Sequence, residues 1–182
     1  GLLQETNSQL MVVNCNLPVN TLRRILVLVP PKAEYEAGFY KWIGHLSMMG
    51  EQLSCRIRFF GQSDTLMKIQ RFVKGKYENV RVEFFEMDSW NDINHIVEQL
   101  SPDYLLVIVC ARRGATSYEH NFDHLSRFIN ENFSGRNFMI IYPDQFGNPQ
   151  DITFTSGLLA YRETRSTYDV VYKWFYRFFK KI

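Results

Sequence analysis

Tyr104-Leu105-Leu106-Val107-Ile108-Val109-Cys110, then Ala111-Arg112-Arg113-Gly114-Ala115-Thr116-Ser117, then a helix-length segment to Phe133, then Phe138-Met139-Ile140-Ile141-Tyr142-Pro143-Asp144-Gln145: this stretch decides the fold. Two continuous apolar runs flank an amphipathic segment, the pattern of a βαβ unit whose strands are buried on both faces. Thr116-Ser117-Tyr118-Glu119 fits a capping box, so the spacing predicts a helix opening at Thr116 and running to Phe133. Its buried side would be Tyr118, Phe122, Leu125, Ile129 and Phe133. A turn that leaves the carboxyl end of a parallel strand for a helix N-terminus is where an anion or small ligand sits in such sheets. Arg112, Arg113, Gly114, Thr116 and Ser117 are therefore the candidate binding residues.

Outward from this unit the alternation continues. Arg24-Ile25-Leu26-Val27-Leu28-Val29 reads as a buried strand stopped by Pro30-Pro31. Glu34 to Met49 reads as a helix ended by Gly50, Cys55 to Phe60 as a strand, and Ser63 to Lys74 as a helix closed by Gly75. Val80 to Phe85 is a further strand, and Ser89-Trp90-Asn91-Asp92 opens a helix with Ile93, Ile96, Val97 and Leu100 inward. Five strands alternating with helices on short connections predict an α/β fold. It is a three-layer, doubly wound, parallel five-stranded sheet in the order 3-2-1-4-5 with right-handed crossovers.

Three regions follow. Residues 1–23 are polar apart from Leu10-Met11-Val12-Val13 and read as a linker or an appended edge strand; residues 24–146 are the α/β domain; residues 147–182 are a C-terminal extension. The extension carries a final helix from Ser166-Thr167-Tyr168-Asp169, with Val170, Val171, Trp174, Phe175, Phe178 and Phe179 on one side. Tyr168, Tyr172 and Tyr176 widen that stripe beyond what one neighbour buries, so self-association, most simply as a homodimer, is expected. Lys173, Arg177, Lys180 and Lys181 beside it make a membrane surface the rival outlet.

At 182 residues with a net charge of +2, the chain has room for one well-buried core and lacks the charge excess that nucleic-acid binding would call for. Cys15, Cys55 and Cys110 are far apart and outside metal-binding spacing, which suits a reducing compartment. No apolar run reaches the roughly 18 residues of a membrane span. The start at Gly1, without an initiating Met, reads as a tag scar or a fragment cut from something longer.

Catalytic chemistry finds little support. Ser117 and Cys110 have no nucleophile elbow and no assignable His and acid, so no enzyme is expected. His120 and His124 would share one helix face, yet two histidines without a third ligand leave a metal site incomplete, and the spacing suits a solvated polar face. His45 and His95 read as helix-surface residues. Arg112 and Arg113 either hold an anion or solvate the turn and pair with a neighbouring acid.

Ala111-Arg112-Arg113-Gly114, Ser117-Tyr118 and the ending Phe138 to Gln145 carry a resemblance. With them, the α/β pattern over roughly residues 24–146 resembles the universal stress protein fold, which is adenine nucleotide alpha hydrolase-like. It resembles more closely the cytoplasmic C-terminal domain of bacterial cation:proton antiporters of the sodium/proton exchanger kind. That likeness implies a regulatory or assembly domain on the cytoplasmic side of the bacterial inner membrane. Its partners would be the transmembrane part of the same antiporter chain, a second copy of itself and a small anionic effector. The alternative it implies is a free-standing universal stress protein-like nucleotide- or anion-binding protein.

Universal stress proteins hold ATP on a Gly-x-x-Gly turn followed, about nine residues on, by Gly and Ser or Thr, because glycine lets backbone N–H groups approach phosphate. Here those positions are Ala111, Gly114 and His124-Leu125, and the acid expected at the end of the first strand is replaced by Pro30-Pro31. No cofactor is expected, ATP in that mode included, while a cationic turn suited to a small anion remains.

Overall fold

The computed structural model describes residues 6–89 and 92–145. In chain order they form β1 (Leu10–Asn14), β2 (Arg24–Leu28), α1 (Phe39–Gln52), β3 (Arg56–Gly61), α2 (Ser63–Lys76), β4 (Val82–Glu86), α3 (Ile93–Glu98), β5 (Tyr104–Val109), α4 (Leu125–Asn132) and β6 (Asn137–Tyr142). Short 3-10 turns stand at Val19–Thr21, Ala33–Tyr35 and His120–His124. The chain divides into two units, Gly1–Phe146 and Gly147–Ile182, and every described residue lies in the first. The expected C-terminal aromatic helix falls outside the described residues.

The architecture is α/β around one sheet in the order β1-β6-β5-β2-β3-β4. The strands β2 to β6 pair in parallel, whereas β1 runs antiparallel to β6, with Leu10 opposite Tyr142 and Asn14 opposite Phe138. The expectation of a five-stranded, wholly parallel sheet is corrected to six strands with one antiparallel edge. The physical reason lies in Leu10-Met11-Val12-Val13: an apolar run covers the ladder groups that β6 would otherwise present to water.

The central strands are sealed on both sides. Ile25, Val27, Leu28, Leu106, Val107 and Ile108 are all 0% exposed, which is why their sequence is continuously apolar instead of alternating. One face carries Leu26, Leu28, Leu106, Ile108 and Ile140, packed with Ile93 and Val97 of α3 and with Leu125 of α4. The other meets α1 and α2: Gly50 of α1 lies against Ile57, and Gly61 lies against Val29 and Leu66.

Gly50 therefore does not stop a helix. It sits inside α1, where a Cβ would come within 2.7 Å of the Ile57 side chain, so its role is close packing on β3. The stop comes at Ser54, whose φ of 53° reverses the chain. Phe39 rather than Glu34 opens α1, because residues 33–35 form a 3-10 turn that leaves Glu34 and Glu36 pointing across the sheet end. The helix expected from Thr116 is also shorter than its pattern suggested. Glu119 is extended, His120–His124 is a 3-10 turn, and α4 begins only at Leu125.

Candidate functional site at the carboxyl end of the sheet

Between β2 and β5 the chain changes direction across the sheet, running outward from β2 through β3 to β4 and then returning to β5 on the other side. The loops that leave β2 and β5 thus form the two walls of the crevice where doubly wound sheets bind ligands. Residues 29–38 make one wall and residues 110–119 the other.

The two walls are tied together by a single side chain. Oε1 of Glu36 accepts hydrogen bonds from both the backbone N–H and the Oγ of Ser117, each at 2.9 Å. Ser117 is 2% exposed, so these donors have no water to turn to, and a carboxylate taking both is a charge-assisted pairing. The capping box does not form: Glu119 is extended, and neither helical segment that follows has a side-chain cap.

The remaining candidates are dispersed by the same fold. Arg112 donates from Nη2 to the Ser8 carbonyl at 2.8 Å, which places it on the chain segment entering β1. Arg113 turns the other way, to Asp123 of the 3-10 turn, with Nε at 3.2 Å and Nη2 in direct contact. The Asp123 hydrogen bond, then that of Tyr118, holds the Arg113 guanidinium pKa above its ordinary value, and the Arg113 hydrogen bond holds the Asp123 carboxyl below its own. Gly114 adopts φ +88°, a conformation that disfavours any side chain, although nothing stands within 4 Å of its Cβ position. Thr116 is exposed. Of the five residues, Ser117 is buried against Glu36, Arg112 meets a backbone carbonyl and Arg113 pairs with an acid.

Around this latch the carboxyl end is closed further. Lys41 of α1 bonds Asp144 after β6 at 2.6 Å, and Gly38 packs directly on the Asp144 backbone. Glu34, 5% exposed at its side chain, accepts from Thr65 Oγ1 at the start of α2 at 2.6 Å and pairs with Lys68 at 3.7 Å. Asn7 accepts from the Gln145 N–H, and Gln9 bonds His45 Nδ1 at 2.8 Å. Burial, then the charge of Lys41, lowers the His45 pKa from 6.5 to about 4, so this imidazole is neutral in the fold. The expectation of His45 as a helix-surface residue is therefore corrected, because the segment before β1 folds over it. His95, at 80% side-chain exposure, does lie on the surface.

His120 and His124 are both exposed, on a 3-10 turn instead of one helical face. Among the described residues, no group of three or more His, Cys, Asp or Glu is placed to hold a metal ion. A cleft of about 190 Å³ lies nearby, lined mainly by Ile93, Ile108, Phe122, Leu125 and Phe128, and it offers apolar surface without convergent charge. Burial pushes the Cys110 thiol well above its ordinary range, which leaves it inert as a nucleophile.

Glu36 and Gln9 are the residues that sequence reasoning missed. The signal for Glu36 was present: an acid in the first crossover after β2 is the nearest partner for donors after β5, once the strand order makes those loops neighbours. No protein-family model matches the chain, and no curated protein matches it.

Proposed function

We propose that this chain is a regulatory or assembly domain without catalysis of its own, the cytoplasmic part of a cation:proton antiporter of the sodium/proton exchanger kind, related in fold to the universal stress proteins. The observation that carries the reading is the Glu36 latch. In a nucleotide-binding relative this end of the sheet would be open to phosphate, whereas here an internal carboxylate already takes the Ser117 N–H and hydroxyl. A negative charge at that point repels phosphate, which supports a domain that has given up ATP. Any effector at the Arg112 to Ser117 turn would be a small anion able to displace one carboxylate.

Among the described residues, no helix is long and apolar enough to cross a membrane, so on this reading the spans belong to another part of the antiporter chain. Self-association through residues 167–182 belongs to the same reading, since two such domains would stand side by side in a dimeric transporter.

Two measurements test it. The gene should encode ten or so apolar spans in frame ahead of Gly1, and removing this domain from the whole protein should change the regulation of exchange while leaving exchange itself. Calorimetry of the chain against ATP should give no heat of binding at micromolar concentrations. A short reading frame together with ATP retained through purification would instead establish the free-standing nucleotide-binding protein.

A further inference from the structure

Away from the carboxyl end, the face of the sheet over β3 and β4 carries an unusual set of side chains for a doubly wound fold. Register places Arg24 beside Arg56, Arg58 beside Glu83, and Phe60 beside Phe85, all on the face shared with Leu26 and Leu106. Over β2, β5 and β6 that face is covered by α3 and α4. Over β3 and β4 it stays open among the described residues: the Arg56 side chain is 41% exposed, Glu83 31%, Arg58 25%, and Phe85 is 41% exposed.

The charges there do not balance. Arg56 Nη1 meets Glu83 Oε1 at 2.8 Å and Arg58 Nε meets Oε2 at 2.6 Å, so one carboxylate is gripped at both oxygens. Burial opposes ionisation of Glu83, but the Arg58 hydrogen bond and the charges of Arg58, Arg56 and Arg24 outweigh it and hold the carboxyl below its usual value. Two guanidinium groups thus grip a single acid, with the charge of Arg24 on β2 acting in the same direction. Aromatic rings flank them: Arg58 lies 5.6 Å from the Phe85 ring, Arg24 lies 5.2 Å from Tyr104, and Phe60 stacks on Phe85 at 5.1 Å. At the lower end of the strands the face runs into a groove of about 530 Å³ that shares Arg56 and Glu83 with it and adds Lys74, Arg81, Tyr77 and Glu78.

We infer that this face and groove form a docking surface for an acidic protein segment whose Asp or Glu side chains alternate with apolar ones. The arginine pair already shows the chemistry it selects, since it holds a carboxylate one oxygen per guanidinium. Alternation suits the surface, because guanidinium and aromatic groups lie next to one another along it and each can take one kind of side chain. Nucleic acid or an anionic bilayer would need a broader positive field than a chain of net charge +2 provides. The chain's own residues 147–182 carry more Lys and Arg than Asp and Glu, so charge argues against them as the occupant.

The test uses the whole chain and a fluorescein-labelled peptide of alternating Glu and Leu, with anisotropy read at low and at high salt. Saturable binding by about 100 μM peptide is expected, weakening with salt. Arg56→Ala with Arg58→Ala should weaken it about tenfold, and Arg127→Ala on α4 should leave it unchanged. Glu83→Gln should tighten it, because it removes the internal competitor for the arginines; general loss of structure would weaken it instead. Absence of saturable peptide binding, weaker binding by Glu83→Gln, or stronger retention on oligothymidylate or phosphatidylserine vesicles than by the peptide would each overturn the assignment.

Discussion

The carboxyl end of the sheet and its β3–β4 face treat charge in opposite ways. At the carboxyl end, Glu36, Asp144 and Asp123 each meet a donor from a different segment, so a cluster of loops rich in charge is closed by its own pairings. On the β3–β4 face, Arg56 and Arg58 share Glu83 and lie partly in water. A turn with arginines and a glycine looks like a site, yet its charges can be satisfied by neighbouring loops that the strand order brings together. Arginines at alternate strand positions look structural, yet register stacks them on one face, where a sheet offers few partners.

The largest expected effect probes how tightly the carboxyl end is shut. At Gly38 a Cβ would stand 2.8 Å from the Asp144 carbonyl oxygen and closer to its amide nitrogen, so Gly38→Ala forces two backbones apart and should cost about 3 kcal/mol or more in urea unfolding. Gly75, near the β3–β4 groove, has nothing within 4 Å, and Gly75→Ala should stabilise by up to about 1 kcal/mol through helix propensity. Equal effects at the two positions would erase the contrast.

Acid comes next. His45 is neutral in the fold with a pKa lowered from 6.5 to about 4, so its contribution is complete above pH 6.5 and is lost as pH falls toward 4. That amounts to on the order of 3 kcal/mol across the window. Denaturant midpoints followed from pH 7 to 4 should fall, and His45→Gln should flatten the fall. A variant as acid-sensitive as the parent would place the sensitivity elsewhere.

Glu36→Ala leaves the Ser117 N–H and hydroxyl buried without an acceptor and should cost about 2 kcal/mol, with Glu36→Gln recovering much of it. No loss would mean the two crevice walls are held by other contacts. Smallest of all, Arg113→Ala should leave the unfolding midpoint unchanged, since the Arg113 side chain is 80% exposed and its pairing with Asp123 is screened by solvent.

Much of the fold was legible because burial on both faces leaves a one-dimensional trace. Ile25 to Val29 and Leu105 to Val109 are continuously apolar for that reason and form the sheet centre. Helix boundaries were less legible where tertiary contacts override local ones. Thr116 to Glu119 matches a capping pattern, but Glu119 is extended and the Ser117 between them bonds Glu36, 81 residues away, a partner that no window of neighbouring residues contains. Gly50 and Gly75 looked like helix stops, while one packs on Ile57 and the other simply lies within α2. The turn from Arg112 to Ser117 was legible as the exit from β5, whereas the acid that meets Ser117 was not, because Glu36 sits on a different loop.

The antiparallel edge bears on the order in which the molecule can assemble. β1 is the first strand of the chain and β6 the last of the sheet, so their ladder, Leu10 with Tyr142 through Asn14 with Phe138, closes the longest loop in the domain. Such a pairing is slow to form, and during synthesis the segment from Thr6 to Leu22, which contains no charged residue, must wait until Tyr142 has emerged. While it waits, a neutral strand with free backbone groups is the part of the nascent chain most prone to pair with a neighbouring copy. A single lysine at Val12, 44% exposed on this edge strand, would act as a gatekeeper and should raise the yield of refolding from urea while leaving the equilibrium midpoint nearly unchanged.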